Sequence, residues 1–119
     1  MKSERLTDAL ISLLGHDGFI VLCEAYGGRR LFVPASAAGS KLERAVGVEI
    51  ANKLVDRYGR DYVPVPLAKE LRALHYRAIG CTNGEIASRL GIAEGSVNRI
   101  FRKADYVPEK GSARQLSLI

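Results

Sequence analysis

The stretch TNGEIASRLGIAEGSVNRIFRK, residues 82–103, decides the fold of the C-terminal part of this 119-residue chain. Thr82, followed three residues later by Glu85, has the spacing of a helix capping box, which predicts a helix that ends at Gly91. A second helix is predicted from about Glu94. The residues between and within these helices have the pattern of a helix-turn-helix, with a small residue, a turn glycine and two inward apolar residues: Ala87, Gly91, Val97 and Ile100.

A further helix is predicted upstream, so that residues 67–104 form a three-helix DNA-binding domain. This helix runs from about Leu67 to Ile79, with Pro66 in its first turn. Its inward face is predicted from apolar spacing as Leu67, Leu71, Leu74 and Ala78. An ordinary three-helix packing unit without a role in DNA binding would have the same pattern. Residues 105–119 are interpreted as a tail, whose apolar end, Leu116, Leu118 and Ile119, is a candidate for docking on a partner chain.

The outward residues of the last helix are candidate contacts to double-stranded DNA. Asn98 can pair with adenine and Arg99 with guanine, and Gly95 lets the backbone approach the DNA closely. Other side chains are expected to bind phosphates, either from the last helix or from the start of the helix before it: Thr82, Asn83, Ser96, Arg102 and Lys103.

The charge distribution also indicates that the C-terminal part of the chain is the part that binds a polyanion. The net charge is +5. Residues 1–66 carry nine Lys/Arg and eight Asp/Glu, a balance of +1, whereas residues 67–119 carry nine and five, a balance of +4. A basic second half favours nucleic acid as partner, although a solvated basic surface has the same composition.

The N-terminal part, residues 1–66, contains one helix–glycine–strand pattern twice. A helix over residues 6–26, or two helices if Gly15 and Gly18 interrupt it, leads into the strand-like RRLFVP. A second helix over residues 41–58 leads into DYVPV, in which Pro64 indicates an edge strand. Over residues 15–34, an offset of 32 residues gives six identities with residues 47–66: Gly15/Gly47, Leu22/Leu54, Tyr26/Tyr58, Gly27/Gly59, Val33/Val65 and Pro34/Pro66.

The whole pattern predicts a mainly α protein with short β-strands, in which an α-β-α-β repeat precedes the helix-turn-helix domain. The repeat is interpreted as a dimerisation or scaffold region. Its candidate pairing residues are those of the first strand: Arg30, Leu31, Phe32 and Val33. The two strands can pair within one chain or across two chains, and the sequence leaves both open.

Most of residues 10–104 resemble the Mor transcription activator family, named for the middle-operon activator of phage Mu and its relative C. The resemblance rests on YGGRRLFVP, residues 26–34, which is similar to the family's Gly-Gly-x-x-(aromatic or aliphatic)-x-Pro strand, and on GEIASRLGIAEGSVNRIF downstream. It implies a homodimer that binds an imperfect two-fold site beside a promoter and recruits RNA polymerase. The chain would then be a phage or prophage activator in the bacterial cytoplasm.

A second resemblance covers residues 67–104 only. KEL and AIGCTNGEIASRLGIAEGSV are similar to the DNA-binding domain of LuxR-type response regulators. Residues 1–66 have neither the alternating β/α pattern of a receiver domain nor the length of a ligand-binding domain. Two further hypotheses fit the same residues: a DNA-binding accessory module without a role in transcription, and a protein-interaction module of helix-turn-helix shape.

Other function classes receive no support from the residues. The chain has no nucleophile–base pairing and no phosphate-cradling glycine loop, so we expect no catalytic residues and no enzyme activity. Cys/His spacings do not match a zinc site, and neither a metal nor a cofactor is expected. Cys23 and Cys81 are expected to be reduced. No apolar run approaches the length of a membrane span, and the charged N-terminus has no signal-peptide pattern, so a cytoplasmic protein without membrane contact is predicted.

Overall fold

The computed structural model describes residues 2–112 and gives a mainly helical protein with a small antiparallel sheet. Two compact units, Met1–Leu67 and Ala68–Ile119, follow one another along the chain. We call them the N-terminal and the C-terminal unit. The N-terminal unit contains α1 (Lys2–Tyr26), β1 (Arg30–Phe32), α2 (Lys41–Val46), α3 (Val48–Tyr58) and β2 (Tyr62–Pro64). The C-terminal unit contains α4 (Lys69–Ala78), α5 (Asn83–Leu90) and α6 (Glu94–Lys103).

Both copies of the repeat have a helix that is interrupted at the same position. Gly15 interrupts α1 with φ 77° and ψ 167°. Its equivalent, Gly47, separates α2 from α3 with φ 93° and ψ 165°. A positive φ is incompatible with a continuous right-handed helix and is accessible to glycine at little cost. The single helix predicted over residues 41–58 was therefore wrong, and the two-helix arrangement considered for residues 6–26 describes the first copy better.

The strands of the two copies pair with each other within the chain. β1 and β2 are antiparallel, and Leu31 lies directly opposite Val63, its equivalent at an offset of 32 residues. Arg30 and Phe32 flank this central pair and lie opposite Pro64 and Tyr62. An antiparallel pair in which equivalent residues face each other is related by a local two-fold axis. That axis passes between Leu31 and Val63.

The hydrogen bonds around the sheet repeat with the same symmetry. At one end the N–H of Gly28 donates to the carbonyl of Val65 (2.9 Å), and at the other end the N–H of Arg60 donates to the carbonyl of Val33 (2.8 Å). Gly28 and Arg60 both have left-handed φ values, 78° and 67°. Two further equivalent pairs of backbone bonds obey the offset: Gly27–Cys23 with Gly59–Val55, and Val65–Arg29 with Val33–Asp61.

Equivalent side chains from both copies form one core in the N-terminal unit. The buried residues of the first copy include Leu10, Leu14, Phe19, Leu22, Leu31 and Val33. Their equivalents at an offset of 32 residues are also buried: Leu42, Val46, Ala51, Leu54, Val63 and Val65. Because each copy covers the apolar side of the other, neither copy is left with its inner strand face exposed to water.

The C-terminal unit packs three helices around a core centred on Tyr76, Ile86 and Val97, which are fully buried. The predicted inward face of the first of these helices was wrong. Leu67 precedes α4 and is 38 % exposed, and Pro66 also precedes α4. The other predicted residues, Leu71, Leu74 and Ala78, are only partly buried.

The true inner face of α4 consists of Arg72, Ala73 and Tyr76. The guanidinium of Arg72 donates to the hydroxyl of Tyr76 (3.2 Å) and to the carbonyl oxygen of Arg89 on α5 (3.1 Å). These bonds allow a cationic side chain to be buried. A count of aliphatic residues alone could not have identified this face.

The predicted start and end of α5 agree with the structure. The Thr82 hydroxyl accepts a hydrogen bond from the N–H of Glu85 (3.2 Å), and a Glu85 carboxylate oxygen accepts one from the N–H of Thr82 (2.9 Å). The helix ends at Gly91, which is left-handed with φ 69° and ψ 36°. Residues 92 and 93 then lead into α6.

The chain that follows α6 returns to α4. The N–H of Gly111 donates to the carbonyl oxygen of Arg77 (3.0 Å). Tyr106 does not pack on the unit, since it is 73 % exposed. The candidate docking residues Leu116, Leu118 and Ile119 lie outside the described residues.

One segment within α1, Arg5–Tyr26, is long and apolar enough to cross a membrane, with a mean hydropathy of 1.5. By this measure the expectation that no run approaches a membrane span was wrong. The segment also contains core residues such as Leu10 and Phe19, and the backbone break at Gly15. A core helix passes the same test of length and composition, so the location of the protein stays a prediction.

Candidate nucleic-acid interface

One face of α6 is exposed and carries the three predicted base-reading residues together with Arg102, a predicted phosphate contact. Gly95, Asn98, Arg99 and Arg102 stand at i, i+3, i+4 and i+7, which places them on one side of a helix. All four are exposed, while Val97 on the opposite side is fully buried. The spacing therefore gives a polar stripe, which we call the α6 face and define by these four residues.

The α6 face and its border are basic. Arg99, Arg102 and Lys103 are exposed. In residues 2–112 none of the three forms an ion pair with a carboxylate. The charge of these side chains is therefore available to an external anion.

Arg99 belongs to a shallow groove between α6 and the start of α4. The groove is lined by Lys69, Ile92, Ser96, Arg99, Ile100 and Lys103. A guanidinium N–H of Arg99 donates to the hydroxyl of Ser96 (2.9 Å), which orients the Arg99 side chain along the helix. Three cations around an open groove suit a phosphate backbone or the acceptor edge of guanine.

A polar chain connects the three helices beside the α6 face. Arg77 of α4 donates to the side-chain oxygen of Asn83, and Asn83 donates to the side-chain oxygen of Asn98 (2.9 Å). The guanidinium of Arg77 also lies 5.0 Å from the ring centroid of Phe101. The structure thus brings together the predicted phosphate contact Asn83 and the predicted base contact Asn98.

The hydrogen bond from Asn83 restricts which base edges the side chain of Asn98 can contact. Its carboxamide oxygen is occupied by Asn83, so a two-bond contact with adenine would require that bond to open. Its amide N–H groups suit bases with acceptor atoms in the major groove, such as guanine N7 or thymine O4.

The start of α5 combines the predicted capping box with two nearby carboxylates, and phosphate binding by Thr82 and Asn83 stays a prediction. The Thr82 hydroxyl and backbone are used in the capping box. The backbone N–H of Thr82, together with its hydroxyl, holds the pKa of Glu85 below its ordinary value. A carboxylate oxygen of Glu94 lies 3.8 Å from the point that a Cβ on Gly84 would occupy. This carboxylate stands near the positive end of α5, where it favours a donor such as a cytosine amino group over a phosphate.

The strand residues predicted for dimerisation divide between two faces of the sheet. Leu31 and Val33 are buried in the core of their own chain. Arg30 and Phe32 lie on the outer face, where Phe32 is 49 % exposed and its ring centroid is 5.1 Å from that of Tyr62. The guanidinium of Arg30 lies 4.2 Å from the Tyr62 ring centroid. Contact of this outer face with a second chain stays a prediction.

Sequence reasoning missed two residues of the candidate interface, Lys69 and Arg77. Lys69 joins the groove only because α4 packs against α6. Arg77 acts through Asn83, to which it donates a hydrogen bond. The basic character of both residues was visible in the sequence, but their place depends on tertiary packing.

Comparisons with known proteins do not identify the chain. No family model matches it, and no curated protein or solved structure is detectably similar to it.

Proposed function

We propose that this protein is a sequence-specific DNA-binding regulator that reads double-stranded DNA in the major groove with the α6 face. The observation that carries the proposal is the α6 face itself, an exposed stripe with two arginines, an asparagine and a glycine. The finer fold assignment, a helix-turn-helix formed by α5 and α6, belongs to the same proposal. It is supported by the capping box at Thr82, the left-handed turn at Gly91 and the burial of Val97 between the helices.

Gly95 supports an external contact rather than a structural role. A Cβ at this position would meet no atom within 4 Å, and the residue does not have a positive φ. Glycine in a helix is less favourable than alanine by up to about 1 kcal/mol. Neither packing nor backbone conformation within the unit requires a glycine here. Close approach of a nucleic acid to the helix backbone supplies a reason for it.

Each residue of the interface has a proposed role. Arg99 reads guanine, and Asn98 reads a base acceptor or, after release from Asn83, adenine. Lys69, Arg102 and Lys103 bind phosphates on either side of the groove. Arg77 is a positioning residue, because it acts through Asn83 on Asn98.

Selection from a random duplex library tests the proposal. The full chain should enrich a defined sequence, and a parallel selection with Asn98→Ala should lose preference at one position of that sequence. If the full chain enriches no sequence above the starting pool, sequence-specific recognition is excluded.

Activation of transcription is the part of the proposal that rests on the family resemblance. A promoter that carries the selected sequence should be stimulated by the purified protein in transcription with bacterial RNA polymerase. Specific binding without stimulation would favour an accessory module, which binds DNA but does not contact polymerase.

A further inference from the structure

We infer that one chain of this protein reads one asymmetric DNA site, because the two-fold pairing that a dimeric regulator builds from two chains is already present inside its N-terminal unit. The inference rests on the proposed function for the DNA-reading step. The pairing itself is carried by the N-terminal unit alone.

The first step is the symmetry of the sheet. Leu31 and Val63 are equivalent residues of the repeat, and they lie opposite each other. The bonds from Gly28 to Val65 and from Arg60 to Val33 are equivalent as well. A single copy that paired with the same copy of a second chain would produce this arrangement. Here the second copy comes from the same chain.

The second step is that the paired copies complete one core. Six of the buried positions of the first copy have equivalents in the second copy that are also buried. Leu31 and Val33, two of the four candidate pairing residues, are therefore already buried by the second copy of the same chain. The inner face of the sheet has no area left for a second chain.

The third step is that the reading unit is not duplicated. The second copy ends in Pro66 and is followed by α4, α5 and α6. The equivalent point of the first copy, Pro34, is followed by a short connection to α2. In residues 2–112 one α6 face therefore accompanies two copies of the scaffold. A single reading helix contacts one half-site, and a palindrome is not needed.

A cross-strand disulfide tests the pairing directly. The bonds at 33–61 and 29–65 make 31–63 a hydrogen-bonded pair and 32–62 a non-hydrogen-bonded pair. In a non-hydrogen-bonded pair, such as 32–62, the two Cα atoms are about 4.5 Å apart, which is within the range for a disulfide. Phe32→Cys with Tyr62→Cys, oxidised in the full chain, should form an intrachain bridge, while Phe32→Cys alone serves as the control. The native cysteines, Cys23 and Cys81, are buried.

Two mass measurements complete the test. Sedimentation equilibrium of the free chain should give one chain of 13.0 kDa. The complex with the selected duplex should contain one chain, and the selected sequence should have no two-fold symmetry. A palindrome that carries two chains, or a covalent two-chain species of the double variant, would overturn the one-chain inference and leave the proposed function intact. Failure to enrich any sequence would overturn the proposed function and the one-chain recognition of DNA. The disulfide, and the mass of the chain without DNA, would still show whether β1 and β2 pair within one chain.

Discussion

Gly95→Ala should raise the stability of the C-terminal unit and lower its affinity for DNA, two effects of opposite direction from one methyl group. The new Cβ would meet nothing within 4 Å, so the folded protein gains no clash. Alanine is favoured over glycine by about 0.8–1.0 kcal/mol in a helix interior. Because Gly95 is in the first turn of α6, we expect about half of that, ~0.5 kcal/mol.

Hydrogen exchange is the assay for the stability effect. Val97 is fully buried in the same helix, and its amide should exchange about twofold more slowly in the variant, because a tenfold change in an equilibrium corresponds to about 1.4 kcal/mol. Exchange that is unchanged or faster would show that Gly95 has a structural role that the open space around it does not reveal.

Fluorescence anisotropy on the selected duplex is the assay for the binding effect. A methyl group forced into a close-packed contact typically costs about 1–3 kcal/mol, so we expect the affinity to fall by about tenfold. Asn52→Ala on the exposed side of α3 is the matched control, since it also improves helix propensity but lies in the N-terminal unit. Full affinity of Gly95→Ala would refute the argument that DNA approaches the helix backbone at this residue.

Three further changes test the fold. Arg60→Gly should stabilise the N-terminal unit by about 0.5–1 kcal/mol in urea denaturation, because glycine adopts the left-handed backbone at residue 60 without the strain that arginine has there. Gly28→Ala should destabilise the unit by about 1 kcal/mol, because it introduces that strain at the equivalent residue. The pKa of Glu85 lies below its ordinary value of 4.5, so its contribution is present above about pH 4.5 and is lost as the pH falls through the lowered pKa. Glu85→Gln should therefore flatten the acid limb of the thermal denaturation curve of the C-terminal unit. Arg72→Ala should cost about 2–4 kcal/mol, because it removes a buried hydrogen bond to Tyr76 and a partly buried one to the Arg89 carbonyl oxygen, and leaves a cavity.

Each of these changes has an outcome that contradicts its reason. If Gly28→Ala and Arg60→Gly changed the stability of the N-terminal unit in the same direction, the left-handed backbone would not be the cause. An unchanged acid limb after Glu85→Gln would assign the pH dependence to other carboxylates. A neutral Arg72→Ala would mean that the Arg89 carbonyl oxygen finds another partner at no cost.

The sequence predicted those parts of the fold that depend on local chemistry. Thr82 and Glu85 define the start of α5, and Gly91 defines its end, because caps and left-handed turns are specified by a few adjacent residues. The exposed stripe of α6 followed from helical spacing alone. The equivalence of the two copies was also visible in the sequence, as identities at an offset of 32 residues.

The remaining features depend on contacts between distant parts of the chain. The inner face of α4 depends on Arg72, whose burial is possible only with the partners that Tyr76 and α5 supply. The link from Arg77 through Asn83 to Asn98 spans three helices and leaves no local pattern. The pairing of β1 with β2 was one of two arrangements that the same repeat allows, and only the packing of both copies into one core decides between them.

The most direct test of DNA recognition by the α6 face compares two arginines on the selected duplex over a range of salt concentrations. Arg99→Ala removes a proposed guanine contact, and Arg57→Ala removes the same charge from an exposed position of α3 in the N-terminal unit. Binding by the unmodified chain should weaken steeply with salt, because phosphate contacts release counterions. Arg99→Ala should lose about 1–3 kcal/mol of affinity, while Arg57→Ala should retain it. Equal affinities for the two variants, or binding that does not depend on salt, would contradict the account.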